Sequence, residues 1–181
     1  MGRPNVTIVL GNGNLGRVSG TSDGVSGLIL TGSAVEDKLE INKVYTLTSV
    51  NDLVALGVTE ENNYLINKDV RAFFSQKTST SELYLIVVSE ATTLKSMCEQ
   101  DESAPLPKLI AAGGGRIRLV GCNKIAPEGY QPSLDAEIDK DAIDAATTAQ
   151  ATAELLAAKV RPFRVLMPAP AWTGNTENMF K

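Results

Sequence analysis

Three glycines near the start of the chain have the spacing of a phosphate-binding turn. Gly11, Gly13 and Gly16 spell G-x-G-x-x-G, and they directly follow the apolar, largely β-branched residues 6–10. In dinucleotide-binding proteins this turn holds a pyrophosphate against the N–H groups of a helix that begins at the third glycine. The spacing therefore makes nucleotide binding one hypothesis, and a helix after Gly16 is the feature that would support it.

The residues after this turn lack a helical pattern. Gly20, Gly24 and Gly27 follow closely, and each glycine inside a helix costs about 1 kcal/mol relative to alanine. Glu36 and Asp37 lie about 20 residues further on, where an acid could bind a ribose hydroxyl, but no helical crossover precedes them. A glycine-rich bend or flexible arm that joins two strands is the favoured interpretation. A nucleotide-binding enzyme domain is the alternative.

The composition is that of a globular domain without the commonest catalytic group. The chain has 181 residues, of which 43% are hydrophobic and 21% are charged, and it contains no histidine. It therefore lacks the usual general base and the usual zinc ligand. The formal net charge of -4 argues against nucleic-acid binding, which needs a clustered basic surface. We expect no enzymatic activity, no catalytic residue, no cofactor, no metal site and no nucleic-acid partner.

Smaller groups of polar residues have simpler interpretations. Four arginines come nearest to a basic cluster, and solvated edge positions are favoured for them over a phosphate site: Arg116, Arg118, Arg161 and Arg164. Five acids are expected to complement the dipole of a helix: Asp135, Glu137, Asp139, Asp141 and Asp144. Cys98 and Cys122 are far apart in the sequence and are predicted to be buried thiols rather than a disulfide or metal site.

Neither a membrane span nor a signal peptide is predicted. The apolar runs are much shorter than a bilayer-spanning helix requires. The first four residues lead directly into a strand pattern rather than into the apolar core of a signal peptide. We therefore expect a soluble, intracellular protein with no membrane partner.

Short apolar runs alternate with amphipathic helical patterns along the chain. Strands are predicted at residues 6–10, 25–30, 44–47, 83–88, 117–120 and 163–167. Helices are predicted from Ser49 to Gly57, from Thr59 to Lys77, and at 92–98, 108–112 and 141–160. We expect 83–88 at the centre of the sheet and Ala146, Ala149 and Ala153 against it. The fold class is α/β, a mixed β-sheet with flanking helices and an N-terminal extended arm.

The order of several motifs resembles a known protein family. GVSGLILTG at 24–32 is followed by VYTLTSVNDLVALGV at 44–58, VRAFFSQ at 70–76, ELYLIVVS at 82–89 and RPFRVLMP at 161–168. This succession is similar to the contractile tail sheath proteins of bacteriophages and related contractile machines. The resemblance extends from Met1 to about Pro170.

The resemblance implies a structural subunit that self-assembles into a sixfold helical cylinder around a tail tube. Its partners would be other copies of itself together with tail tube and baseplate proteins, and its location the virion tail after assembly in the bacterial host cytoplasm. The intersubunit arm, which adds a strand to a neighbouring copy, would comprise Val6, Thr7, Ile8, Val9 and Leu10. The hinge that lets this arm bend would comprise Gly11, Gly13, Gly16 and Gly20.

Three parts of the chain follow from this interpretation. Residues 1–24 form the arm and the glycine-rich hinge, and residues 25–170 form the α/β sheath-like domain. Residues 171–181 form a tail that is expected to lead to a further C-terminal portion. Trp172 lies in this tail, and an aromatic residue in such a position often contacts another chain or domain.

Overall fold

The computed structural model describes residues 25–76, 81–126, 129–135, 138–159 and 162–169. Within them, a mixed five-stranded sheet carries helices on both faces, which confirms the predicted α/β class. The arm, the hinge and the tail after residue 169 lie outside the described residues. The predicted strand at residues 6–10 and the division into three parts therefore stay predictions.

The described residues contain seven strands in two sheets. The strands are β1 (Val25–Thr31), β2 (Val44–Leu47), β3 (Glu82–Val88), β4 (Leu119–Asn123), β5 (Leu134–Asp135), β6 (Ile138–Asp139) and β7 (Arg164–Leu166). The main sheet has the order β2-β3-β1-β4-β7, and β5 pairs with β6 in a separate two-stranded sheet. In the main sheet β1, β3, β4 and β7 are parallel, and β2 is antiparallel to β3.

Five helices connect these strands in the described part of the chain. They are α1 (Val50–Ala55), α2 (Tyr64–Ser75), α3 (Leu94–Met97), α4 (Pro105–Ala112) and α5 (Lys140–Ala157). None of these helices is both long enough and apolar enough to cross a bilayer.

The parallel pair of β1 and β3 lies between two hydrophobic clusters. On the first face of the sheet, residues such as Ile29 and Ile86 pack with apolar side chains of α3, α4 and α5. On the second face, residues such as Leu30 and Leu85 pack with α1 and α2. Residues 83–88 are all buried, which confirms a strand covered on both faces. The central strand is nevertheless β1, with β3 beside it.

Capping residues place α1 where the sequence predicts it. The Asp52 carboxylate accepts the N–H groups of Thr48 at 2.7 Å and of Ser49 at 3.0 Å. These hydrogen bonds, led by the one from the Thr48 backbone, hold the pKa of Asp52 below its usual value. The chain leaves the helix through Gly57, whose φ of 71° is readily adopted only by glycine.

Two helices begin at other residues than predicted. The predicted start of α2 at Thr59 is wrong, because the Asn62 side chain accepts the Thr59 N–H at 2.8 Å and closes a turn before the helix begins at Tyr64. The sequence pattern begins the next helix at residue 108 and leaves Pro105 and Pro107 in a loop before it. This is also wrong, because both prolines lie in the first turn of α4. The N–H groups of a first turn have no partner within the helix, so proline is accepted there.

The buried face of α5 differs from the predicted face by one residue. Ala142, Ala145, Ala149 and Thr152 are buried, whereas Ala146 is exposed and Ala153 half-buried. Ala149 therefore lies where it was predicted, Ala153 is half-buried and also packs against the core, and the prediction is wrong for Ala146. The Thr152 hydroxyl donates to the Cys98 carbonyl at 2.6 Å and thereby fixes the rotation of α5 against the end of α3.

Several smaller predictions also change. β4 begins two residues later than predicted and continues to Asn123. The prolines and glycine of residues 123–138 predict a long loop, but β5 and the start of β6 lie there. The spacing of the aromatic residues predicts a core position for Tyr64, but this side chain is 53% exposed. Cys98 and Cys122 are both buried and reduced, as predicted. A hydrogen bond with Cys98, together with burial, raises the pKa of the Cys122 thiol well above its usual value, so this thiol stays protonated and unreactive.

The buried face of α5 can be tested with one pair of variants. We expect Ala145→Leu to lower the free energy of unfolding by about 1–3 kcal/mol, because Ala145 is fully buried and a larger side chain would overpack the contact. Its neighbour Ala146 is exposed, so Ala146→Leu should change stability by less than about 0.5 kcal/mol. Urea denaturation of both variants measures the difference, and equal stability would contradict the assigned face.

Candidate interaction site at the edge of the sheet

β7 presents an open backbone edge. It is the last strand of the main sheet, and no strand of the described residues pairs with its outer side. Arg164 donates its N–H to the carbonyl of Arg118 at 2.9 Å, so the backbone groups of Arg164 face β4. Because successive residues of a paired strand direct these groups to opposite sides, the N–H and C=O of Val165 point outward. This edge can accept a further strand.

An apolar groove of about 500 Å³ lies beside this edge, between α5 and β7. Three alanines of α5 face three larger apolar residues across it, and three further residues complete the lining: Ala146, Ala149 and Ala153 opposite Phe163, Val165 and Met167, with Gln150, Arg164 and Leu166. Because Ala146 is exposed and Ala153 is half-buried, the groove is open to solvent. Side chains of a strand added to β7 can therefore enter it and pack on the alanines.

The opposite edge of the sheet is less suited to strand addition. The residues before β2 carry an ion pair between Lys43 and Glu40, and the Lys108 ammonium group donates to the Asn42 carbonyl at 3.4 Å. Charged side chains at an edge discourage pairing with another chain. The geometry therefore favours β7 over β2 as an acceptor.

The carboxyl ends of β1 and β4 are the place where an α/β sheet usually binds a ligand. The connections that follow these neighbouring strands cross opposite faces of the sheet. The connection after β1 contains α1 and α2 on the second face, and the connection after β4 contains α5 on the first. Here the polar groups bind one another. Lys124 donates to Asp141 at 2.5 Å, Asn123 donates to Asp69 at 2.9 Å, and the Thr31 hydroxyl accepts the Ile125 N–H at 2.9 Å.

This polar cluster holds structural elements together. The Asp141 carboxylate lies in the first turn of α5 and also accepts the N–H groups of Leu94 at 2.9 Å and Lys95 at 3.1 Å, which begin α3. The side chains of Lys124 and Asp141 are only 9% and 14% exposed. Among the described residues, every buried side-chain nitrogen or oxygen has a hydrogen-bond partner. The buried polar groups of this cluster are therefore already paired.

The pKa values of Asp141 and Tyr130 are shifted by burial, hydrogen bonds and neighbouring charges. Burial raises the pKa of Asp141, but the hydrogen bonds from Lys124, Leu94 and Lys95 and the charge of Lys124 outweigh burial, and the pKa lies below its usual value. Nearby, Tyr130 donates to Asp139 at 2.6 Å. That hydrogen bond, with burial and the charges of Asp139 and Asp141, raises the pKa of Tyr130 to about 12.

The residues singled out in the sequence do not converge on a catalytic centre. The side chains of two of the described arginines bind different partners. Arg116 binds Glu82 and Tyr84, whereas Arg118 donates to the Pro162 carbonyl at 2.9 Å. Gly113 ends α4, as predicted for a helix cap. In the described ranges, no three histidine, cysteine, aspartate or glutamate residues form a group that could hold a metal ion.

Two parts of this region were missed in the sequence. Nothing in the local pattern marks Lys124 as the partner of Asp141, because the pair depends on how β4 and α5 meet. The groove was missed because the alanines that line it had been assigned to the buried face of α5. Phe163, with Val165 two residues later, was the available signal, since these residues mark one face of the last strand.

The ion pair between Lys124 and Asp141 gives a testable stability difference. Asp141→Asn leaves the Lys124 ammonium group buried without a counter-charge, so we expect a loss of about 3 kcal/mol in the free energy of unfolding at neutral pH. The matched control is Asp144→Asn, which breaks the more exposed pair with Lys140 and should cost less than about 1 kcal/mol. Chemical denaturation of the two variants measures both losses.

The same comparison has a defined pH dependence. Because the folded-state pKa of Asp141 is lowered, its stabilising effect is complete above the unfolded-state pKa of about 3.9 and is lost as the pH falls through the lower folded-state pKa. The stability difference between the wild-type chain and Asp141→Asn should therefore shrink in acid. A difference that stays constant down to the onset of acid unfolding would contradict the assigned role of the carboxylate.

Comparison with known proteins places the chain in a family. A search of curated proteins and a search of solved structures both found no match. A family model described as DUF2586, N-terminal domain, matches residues 3–179. Since this match covers almost the entire chain, the protein belongs to the DUF2586 family.

Proposed function

We propose that this chain is a structural, non-enzymatic subunit of a contractile phage-type tail sheath. In this proposal it self-assembles into a sixfold helical cylinder around a tail tube, with tail tube and baseplate proteins as further partners. It would be assembled in the cytoplasm of the bacterial host and become part of the virion tail. The observation that supports it best is the outward-facing edge of β7 beside an open apolar groove.

The proposed occupant of this edge is the arm of a neighbouring copy. Val6, Ile8 and Leu10 alternate with Thr7 and Val9, so in a strand the side chains of Val6, Ile8 and Leu10 would lie together on one face. Their spacing along a strand is about 6.7 Å. The groove presents Ala149 and Ala153 at four-residue spacing, which corresponds to about 6 Å along a helix. The two repeats are close enough for successive side chains to pack between the alanines.

The glycines after the arm fit a mobile link between copies. Gly11, Gly13, Gly16 and Gly20 separate the arm from Val25, the first residue of β1. Glycine adopts conformations that other residues avoid, so this segment can bend while main-chain hydrogen bonds hold the arm on the neighbouring sheet. Such a link suits subunits that slide and rotate during contraction.

A nucleotide-binding function is less well supported. The phosphate site needs a helix that begins at Gly16, but Gly20 and Gly24 interrupt the segment before Val25, and each glycine inside a helix costs about 1 kcal/mol relative to alanine. The carboxyl ends of β1 and β4, where such a ligand usually binds, are occupied by the hydrogen-bonded cluster around Asp141.

Calorimetry can separate the two functions. We expect no saturable binding of NAD, NADP, ATP or FAD at micromolar concentrations, because neither the glycine-rich segment nor the polar cluster provides a phosphate site of the required form. Gly13→Asp is the matched variant, since it would block the close approach of a phosphate to the turn. Saturable binding that disappears in Gly13→Asp would overturn the proposed structural function.

Docking of the arm can be measured directly with a fluorescent peptide of residues 1–20 and a variant chain that lacks those residues. We expect saturable binding by fluorescence anisotropy. Ala146→Glu should weaken this binding at least tenfold, because it places a charge in the groove. The control is Ala151→Glu, which makes the same change at an exposed position of α5 outside the groove and should leave binding unchanged. Absence of binding, or equal effects of both variants, would contradict the proposal.

The deletion itself gives a second readout. The described core begins at Val25, so removal of residues 1–20 should leave the domain folded with nearly unchanged stability. The same deletion should abolish the hollow cylinders or ring stacks that we expect the chain with its arm to form under the electron microscope. Normal cylinders after deletion, or an unfolded domain, would show that residues 6–10 are not an intersubunit arm.

A further inference from the structure

The second face of the main sheet is covered over only part of its width. α1 and α2 pack on this face against β1, β2 and β3. The end of β4 is linked to α2 by the hydrogen bond from Asn123 to Asp69, but the apolar cluster of α1 and α2 does not include Leu119 of β4 or Leu166 of β7, and both leucines project into solvent. Leu119 of β4 is 38% exposed and Leu166 of β7 is 58% exposed. This uncovered surface, which we call the leucine patch, is defined by Leu119 and Leu166.

The leucine patch has the shape and chemistry to hold an aromatic ring. Between the two leucines lies Gly121, the register partner of Leu166. A Cβ atom on Gly121 would lie 2.8 Å from the Leu28 side chain, so the absence of a side chain lets Leu28 lie over this strand and keeps the surface shallow. Arg164 is exposed on the same face, two residues before Leu166. Aliphatic side chains beside a guanidinium group favour an aromatic ring.

The chain itself carries a suitable ring a few residues after β7 in the sequence. Trp172 follows Leu166 by six residues, a length of at most about 20 Å when extended. Pro168 and Pro170 lie between them, and proline both ends a strand and favours a turn. A short tether of this kind keeps a group at millimolar effective concentration near its site. Trp172 therefore reaches the leucine patch of its own copy more readily than that of another.

We propose that the segment beginning at Pro170 folds back over the second face of the sheet and that the Trp172 indole packs on Leu119 and Leu166. The ring would lie beside the Arg164 guanidinium group and extend the cover that α1 and α2 provide over the rest of this face. Leu166 and Arg164 also line the groove beside α5, but this contact uses their side chains on the second face, whereas the alanines of the groove lie on the first. It therefore goes beyond the proposed intersubunit link and does not depend on it.

Tryptophan fluorescence tests this contact in the unmodified chain, because Trp172 is its single tryptophan. We expect the emission maximum at a shorter wavelength than that of N-acetyltryptophanamide in the same buffer, and several-fold weaker quenching by acrylamide. Leu166→Glu should move both values to those of the free compound. The matched control is Leu134→Glu, because Leu134 is 56% exposed, as Leu166 is, but lies in the separate two-stranded sheet. This variant should leave both values unchanged.

Further measurements distinguish this contact from other positions of the ring. Leu166→Ser serves as a second variant, and circular dichroism checks that each variant is folded. The emission should not depend on protein concentration, and Ala146→Glu, which alters the groove beside α5, should leave it unchanged. Any of four results would overturn the proposal. These are emission typical of a solvent-exposed ring in the wild-type chain, no change in emission for either variant at Leu166, a change in emission for Ala146→Glu, and loss of the emission shift on dilution.

Discussion

Burial of the β1–β3 pair on both faces is the constraint from which the rest of the fold follows. A parallel strand whose side chains are apolar on both sides must have helices above and below the sheet. Three helices meet this requirement on the first face and two on the second. Because the apolar cover from α1 and α2 ends at β1, and α2 meets the end of β4 through the hydrogen bond from Asn123 to Asp69, the sheet continues into β4 and β7 with much of one side open. The two exposed features of the molecule, the edge of β7 and the leucine patch, both arise at this margin.

The Asp141 carboxylate makes the first face a single rigid unit. It joins the start of α5 to the start of α3 through backbone N–H groups and to the end of β4 through Lys124. The hydroxyl of Thr152 adds a second link between α5 and α3 three turns further along the helix. With α5 held at two points, the spacing between this helix and β7 is set by the core and not by an occupant of the groove. A preformed groove lowers the entropic cost of binding a strand.

The proposed sheath function would use the open features of the molecule. At the carboxyl ends of β1 and β4, where α/β sheets usually bind a ligand, Lys124 pairs with Asp141 and Asn123 with Asp69. The open features are instead a backbone edge and apolar surfaces, which suit association between protein segments. A strand added to β7 would be held mainly by main-chain hydrogen bonds, and such a bond pattern tolerates the side-chain rearrangements that accompany movement between subunits.

Local chemistry in the sequence determined the elements and the class of the fold. The apolar run at 83–88 predicted a doubly covered strand, and Ser49, Asp52 and Gly57 predicted α1, because these signals act within a few residues. Only tertiary structure decided the features that depend on distant contacts. The hydrogen bond from Thr152 to the Cys98 carbonyl sets the rotation of α5. The ion pair with Asp141 allows Lys124 to be buried. Leu166 is exposed because the apolar cover from α1 and α2 does not extend to β7. The alternation of side chains shows which residues share a face, but the cover on that face comes from segments far away in the sequence.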